Sequence, residues 1–202
     1  MPPLVFLPGA GGLASFWAPV AARLEDLGPP QLLGWPGFGE VPMDPSVRSL
    51  DDLFAWMVAR LPAGRSHVIA QSMGGVLAAR LAIERPERVA RLVLVATSGG
   101  VDVLGHGAVD WRPEYEAARA EAPAWFVHDR TDLTDRLQEI RAPTLLLWSD
   151  ADPVSPTGVG RFLEARIGGS RLELVRGGSH AFAHERPDEV AAAIRAHLVA
   201  RG

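Results

Sequence analysis

Three side chains in this sequence are spaced so that a nucleophile, a base and an acid could serve one reaction. Ser72 lies in VIAQSMGG (68–75), where an apolar run enters a serine flanked by the small residues Ala70 and Gly74 before a helical pattern begins. A sharp strand-to-helix turn exposes a hydroxyl in this way, and small neighbours admit the close backbone approach that the turn requires. The free N–H groups of the helix start also lie where negative charge would develop. A serine there could equally do no more than cap the helix, and its neighbours alone leave both readings open. A hydroxyl needs a base to become a nucleophile, and the base needs an acid to orient it. Asp152, in SDADPVSP, and His180, in GGSHAFAHERP, follow Ser72 in that order, each just beyond an apolar run. Such a set performs acyl transfer to water.

The elements that must hold these residues can be read from the hydrophobic pattern. Short apolar runs at 4–7, 31–35, 67–71, 91–96, 144–148 and 171–175 read as strands. Helical patterns fall between them: 15–27 with Ser15 as cap, 50–61 capped by Ser49, 73–84 stopped by Pro86, 157–167, and 187–200 with proline at its start. RLVLVA and TLLLW are continuously apolar, as strands buried on both faces tend to be. The fold expected is α/β: a doubly wound, mostly parallel six-stranded sheet within a single domain over residues 1–202. In such sheets ligands bind beyond the carboxyl ends of the strands, which is where the three residues fall. Residues 99–141 break the rhythm with paired glycines, two tryptophans and Pro113 and Pro123. This segment reads as a reduced cap or lid excursion over the site, with short helices around 114–121 and 133–140.

Composition excludes several function classes. The chain has no cysteine, and all 20 basic residues are arginine. Disulfides, thiolate metal sites, cysteine nucleophiles, Schiff-base lysines and a Walker A loop are therefore ruled out. A net charge of −4 with scattered arginines gives no basic face for nucleic acid. No apolar stretch approaches the length of a membrane span and no signal peptide is evident, so a cytoplasmic protein is expected. No His/Asp/Glu cluster has metal-ligand spacing, so neither metal nor other cofactor is expected. PGAGG after the first strand lacks the third glycine of a dinucleotide loop, and the second strand ends on Trp35 where an acid would be needed.

Taken in order, LVFLPGAGG, GWPGFGE, AQSMGG, ERPERVARLVLVATS, APTLLLWSDADPVSP and GGSHAFAHERPDEV resemble the conserved blocks of the α/β-hydrolase family, in particular its small serine esterase and carboxyl-ester hydrolase branch. The resemblance implies Ser72 as nucleophile, His180 as general base and acid, and Asp152 as the residue orienting His180. It implies an oxyanion hole from the backbone N–H groups of Ala10 and Met73. The substrate implied is a small carboxylic ester, lactone or thioester, cleaved through an acyl-enzyme. Serine at position 72 sets the chain apart from the dehalogenase and epoxide-hydrolase branches, which use aspartate there. Ala70 departs from the family's first elbow glycine, Pro8-Gly9 from its usual His-Gly, and Gly34 from a frequent aspartate. The chain opens at what is normally the family's third strand, so the sheet order expected in family numbering is 4-3-5-6-7-8. The PGFG block, SLDDL and PERV also resemble pimeloyl-carrier methyl esterases, which would make an acyl-carrier protein a partner. A ligand-sensing protein that retains the pocket without catalysis is the alternative from another class.

Other residues compete for these roles. The family spacing G-x-x-D-x-x-x-P favours Asp152 over Asp150, and Asp102 is a more distant candidate. His184 suits a solvated helix start; His67 and His197 suit structural positions; His106 and His128 lie in the excursion, where either could meet substrate. Trp111, Tyr115, Trp125 and Phe126 are expected both to bury the excursion and to line an apolar substrate pocket. Arg112 and Arg130 could meet a carboxylate or a carrier phosphate.

Overall fold

The apolar runs divide their side chains between two layers. In the computed structural model, which describes residues 1–119, 122–123 and 125–200, the strands are β1 (Leu4–Leu7), β2 (Pro30–Leu32), β3 (Ser66–Gln71), β4 (Val89–Val95), β5 (Thr144–Ser149) and β6 (Arg171–Val175). They form one sheet in the order β2-β1-β3-β4-β5-β6 with every pairing parallel. This is the expected six-stranded, doubly wound order. Because side chains alternate along a strand, Leu4 and Phe6 pack with Ile69, Val93 and Leu145 on one face. Val5 and Leu7 pack with Val68, Leu92 and Leu146 on the other.

The helices, in chain order, are α1 (Ala18–Ala22), α2 (Leu50–Val58), α3 (Met73–Glu84), α4 (Arg112–Ala118), α5 (Trp125–His128), α6 (Thr157–Arg166), α7 (Phe182–Glu185) and α8 (Pro187–Val199). Helices α1 and α8 cover the first face through Val20, Val190 and Ile194. Helices α2, α3 and α6 cover the second through Leu53, Leu77 and Leu163, all three fully buried. Truncating any of those leucines to alanine would cost about 2–5 kcal/mol, a large share of a domain's margin. Ser49 caps α2 as expected, accepting from Asp52 N at 3.1 Å. At the far edge of the sheet, Leu174 is left 45% exposed, with Arg171 and Glu173 paired at 2.6 Å beside it.

Five expectations need adjusting. The helix read over 15–27 is broken into a 3₁₀ turn (Ala14–Trp17), α1 and a second 3₁₀ turn (Glu25–Leu27); the first break comes where Pro19, in the first turn of α1, lacks an N–H to continue a helix from Ser15. Ser15 caps nothing there; its hydroxyl donates to Glu40 at 2.5 Å. Strand β2 stops at Leu32 rather than Trp35, since Trp35 N turns aside to pair with Gly12 O at 3.0 Å. The excursion helix begins earlier than 114, as α4 with Pro113 in its first turn. Its expected end at Glu121 lies outside the described residues. The second excursion helix is a 3₁₀ segment, Thr134–Glu139.

Candidate active site

The turn at Ser72 is a strained elbow. β3 delivers the chain to Ser72 at φ 52°, ψ −121°, and α3 begins at the next residue. An L-residue there costs about 1–3 kcal/mol, so the surroundings must enforce it. Ser72 N donates to Val95 O of the neighbouring strand at 3.1 Å, and Thr97 Oγ1 donates to Ser72 O at 2.6 Å. Gly74 is required by close approach: a Cβ there would lie 2.5 Å from Pro8 O and 2.8 Å from Leu7 O. Gly75 is likewise pressed against Thr97. Ser72 does not cap α3 through its side chain, which leaves the hydroxyl free to face the site.

The imidazole of His180 bridges the other two residues. Its Nε2 lies 3.0 Å from Ser72 Oγ, and its Nδ1 lies 2.7 Å from Asp152 Oδ2. With Nδ1 donating to Asp152, Nε2 is left as the acceptor for the serine hydroxyl. Asp152 sits two residues past the loop's start after β5 and its side chain is wholly buried. The other oxygen, Oδ1, accepts from Val154 N at 2.8 Å and Ser155 N at 3.2 Å, which fixes the carboxylate. Ser155 ties this loop to the end of β4 by donating to Thr97 O at 3.1 Å. The histidine loop is held by Ser149 Oγ on Gly178 O at 2.8 Å and by Gln71 Nε2 on His180 O at 3.2 Å. Such an array can take a proton from the serine as it attacks a carbonyl, and can return it to a leaving group.

Ala10 and Met73 both line the cavity above Ser72, which has a volume of about 920 Å³. Among the described residues no hydrogen bond takes the N–H of either one. The glycine-rich loop from Pro8 to Gly12 is pinned by Trp35, whose Nε1 donates to Pro8 O at 3.0 Å. Gly9 is packed against Gln71, and Gly12, at φ 70°, against Phe38. The excursion forms the opposite wall. Trp111 stacks on Phe126 at 5.1 Å, and the Tyr115 ring meets both edge-on at 5.6 and 5.5 Å. These three line the cavity, as do Arg112 and Arg130.

Trp125 does not line the cavity. It packs edge-on against Phe38 at 5.6 Å, its Nε1 buried with no hydrogen-bond partner among the described residues. The alternation of sides along α5 explains this, since Phe126 takes the cavity face. Asp150 instead accepts from Gly177 N at 2.6 Å, and Asp102 caps the turn at Leu104. His184 stacks on Phe16 and bonds its carbonyl at 2.9 Å. His106 packs on Phe162 and does not line the cavity. His67 and His197 are buried at the opposite end of the sheet, where desolvation, with Arg91 nearby, pushes each pKa down to about 4. The roles of Thr97, Gln71, Ser155 and Arg119 left no signal in the hydrophobic pattern. Each acts through hydrogen bonds to residues distant in sequence, Arg119 to both Gly11 O and Phe38 O.

The sequence profile of the α/β-hydrolase fold family matches residues 2–131, a span that holds Ser72 and the glycine-rich loop. The 2-hydroxy-6-oxo-6-phenylhexa-2,4-dienoate hydrolase of Comamonas testosteroni is 26% identical over 238 residues, covering 90% of this chain and 81% of that protein. That alignment is longer than this chain, so the relative carries insertions lacking here. The pimeloyl-(acyl-carrier protein) methyl ester esterase of Aeromonas hydrophila is 33% identical over 97 residues, 48% of this chain and 38% of that protein. A crystal structure of a hydrolase from Pseudomonas aeruginosa has the same fold, with a TM-score of 0.80 over 98% of this chain and 90% of that one at 24% identity. Among the described residues, no helix is long and apolar enough to cross a membrane. On the sheet order, the family profile and the relatives together, the chain belongs to the α/β-hydrolase fold family.

Proposed function

We propose that this protein is a serine carboxyl-ester hydrolase. Ser72 attacks the carbonyl of a small ester while His180 takes its proton, and Asp152 orients His180 and stabilises the imidazolium. The N–H groups of Ala10 and Met73 receive the oxyanion, each donor worth about 2.7–4 kcal/mol of barrier. His180 then protonates the departing alkoxide, leaving an acyl-enzyme on Ser72. Water, deprotonated by the same imidazole, hydrolyses it and restores the serine. The observation that carries this reading is the imidazole of His180 lying 3.0 Å from Ser72 Oγ and 2.7 Å from Asp152 Oδ2. The cavity's apolar wall of Trp111, Tyr115 and Phe126 suits a small acyl or alcohol group, with residues 99–141 acting as a reduced cap in a single domain. The decisive measurement is hydrolysis of short p-nitrophenyl esters by wild type and Ser72→Ala, with fluorophosphonate labelling in parallel. Activity and labelling that both vanish with the serine are expected; equal rates in the variant would overturn the reading.

A narrower reading is a biosynthetic methyl esterase acting on a carrier-bound acyl group. The similarity to the pimeloyl-carrier enzyme favours it, and Arg112 and Arg130 on the cavity wall supply cations for a carrier phosphate. Growth rescue of a bacterium lacking its biotin-pathway esterase tests this, and no rescue by an expressed, ester-active protein would remove it.

A further inference from the structure

All five carbonyl oxygens of the loop from Pro8 to Gly12 accept a hydrogen bond. Three donors are local to the loop and the segment after β2: Trp35 Nε1 on Pro8 O, Gly12 N on Gly9 O and Trp35 N on Gly12 O, each at 3.0 Å. The other two come from the excursion, more than a hundred residues along the chain. Tyr115 Oη donates to Ala10 O at 2.9 Å, and Arg119 Nη1 reaches Gly11 O at 3.4 Å and Phe38 O at 3.0 Å. Tyr115 lies in α4 and Arg119 immediately follows it.

The two carbonyls held from the excursion belong to the peptides 10–11 and 11–12. Each is flanked by glycine, where the backbone turns over most readily. A flip of either would take its carbonyl off that donor and re-aim a peptide dipole within the loop that lines the cavity. At a site that must receive a developing oxyanion, an inward carbonyl repels where an N–H should attract.

We propose that Tyr115 and Arg119 are positioning residues for the oxyanion loop: they hold the Ala10 and Gly11 carbonyls on the excursion, so that neither oxygen turns on the charge developing beside Ser72. The inference rests on the hydrolase reading for its catalytic consequence, although the clamp itself is a property of the fold. It makes α4 part of the reaction's machinery as well as part of the substrate wall. Arg119 adds a second connection, because its contact with Phe38 O joins the glycine-rich loop to the PGFG turn.

Tyr115→Phe removes the hydroxyl and keeps the ring packing on Trp111 and Phe126. Arg119→Met removes the donors and keeps most of the stem. On a p-nitrophenyl ester each lowers kcat by about tenfold with KM changed less than about twofold, as expected when transition-state positioning is lost. Arg119→Lys, which can still serve one carbonyl, recovers part of the loss and serves as the working variant should Tyr115→Phe fail to fold. Glu116→Ala, on the exposed side of α4, leaves kcat unchanged. Amide hydrogen exchange, read by mass spectrometry, quickens in the peptide covering residues 8–13 in both clamp variants and not at the β3–α3 elbow. A raised KM with unchanged kcat, or unchanged exchange in the loop, overturns the proposal. A wild type inactive on every ester overturns the hydrolase reading instead, and the exchange measurement then decides the clamp alone.

Discussion

The two sides of the cavity are built differently. The side carrying Ser72, Asp152 and His180 hangs from the carboxyl ends of β3, β5 and β6, where parallel register and buried hydrogen bonds set each position. The facing side, residues 99–141, is made of short helices and turns joined by ring contacts among Trp111, Tyr115 and Phe126. A sheet end cannot shift without disturbing the core beneath it, whereas a stack of rings on short helices can repack. The groups proposed to react thus sit on the rigid side, and those proposed to choose a substrate sit on the adjustable one.

The sharpest way to break this contrast is on the rigid side. Asp152→Asn keeps the shape of the carboxylate but presents the wrong partner to Nδ1, and ester hydrolysis is expected to fall by about 10³–10⁴-fold. Stopped-flow or long-time rate measurements against Ser72→Ala would show it; a loss under tenfold would mean that Asp152 only packs. Gly74→Ala drives a Cβ into Pro8 O at 2.5 Å and should lower stability by about 2–4 kcal/mol, read from the denaturation midpoint. An unchanged midpoint would mean that the elbow yields.

Acid sharpens the contrast from the far end of the sheet. His67 and His197 ionise near pH 4 when folded and near 6.5 when unfolded. Between those values the unfolded chain binds more protons, so stability is complete above pH 6.5 and declines as pH falls to about 4, where it levels off. Each buried imidazole can contribute up to about 3 kcal/mol of that decline. Urea midpoints across pH 4–7 would follow it, and His197→Gln should flatten the curve; an identical slope in that variant would exclude His197. On the adjustable side, Phe126→Ala should alter the ratio of kcat/KM between short and long acyl esters by about tenfold while costing only about 1–2 kcal/mol. A change in kcat that is the same for every ester would place Phe126 with the rigid machinery.

The same division separates what is legible in the sequence from what is not. Continuous apolar runs such as RLVLVA and TLLLW mark strands buried on both faces; the ends of β3, β5 and β6 put Ser72, Asp152 and His180 at one end of the sheet, while the roles expected of them come from the family resemblance. Interruptions were harder. Pro19 ends a helical pattern at the start of α1, where it has no N–H to give, and Trp35 turns away after β2 because its N–H bonds Gly12 O of the glycine-rich loop. In the excursion, four aromatic residues looked alike, and only the turn of α5 separates Phe126 on the cavity from Trp125 behind it. The destination of the Tyr115 hydroxyl had no trace in local pattern, since its acceptor lies 105 residues away.

The left-handed backbone at Ser72 has a further implication for how such a chain can change. Glycine would occupy φ 52° without strain, so Ser72→Gly is a route to a more stable protein that lacks the hydroxyl. Stability screening alone would drift towards that substitution, and selection for thermal tolerance in this fold must be coupled to an activity readout if the serine is to survive it.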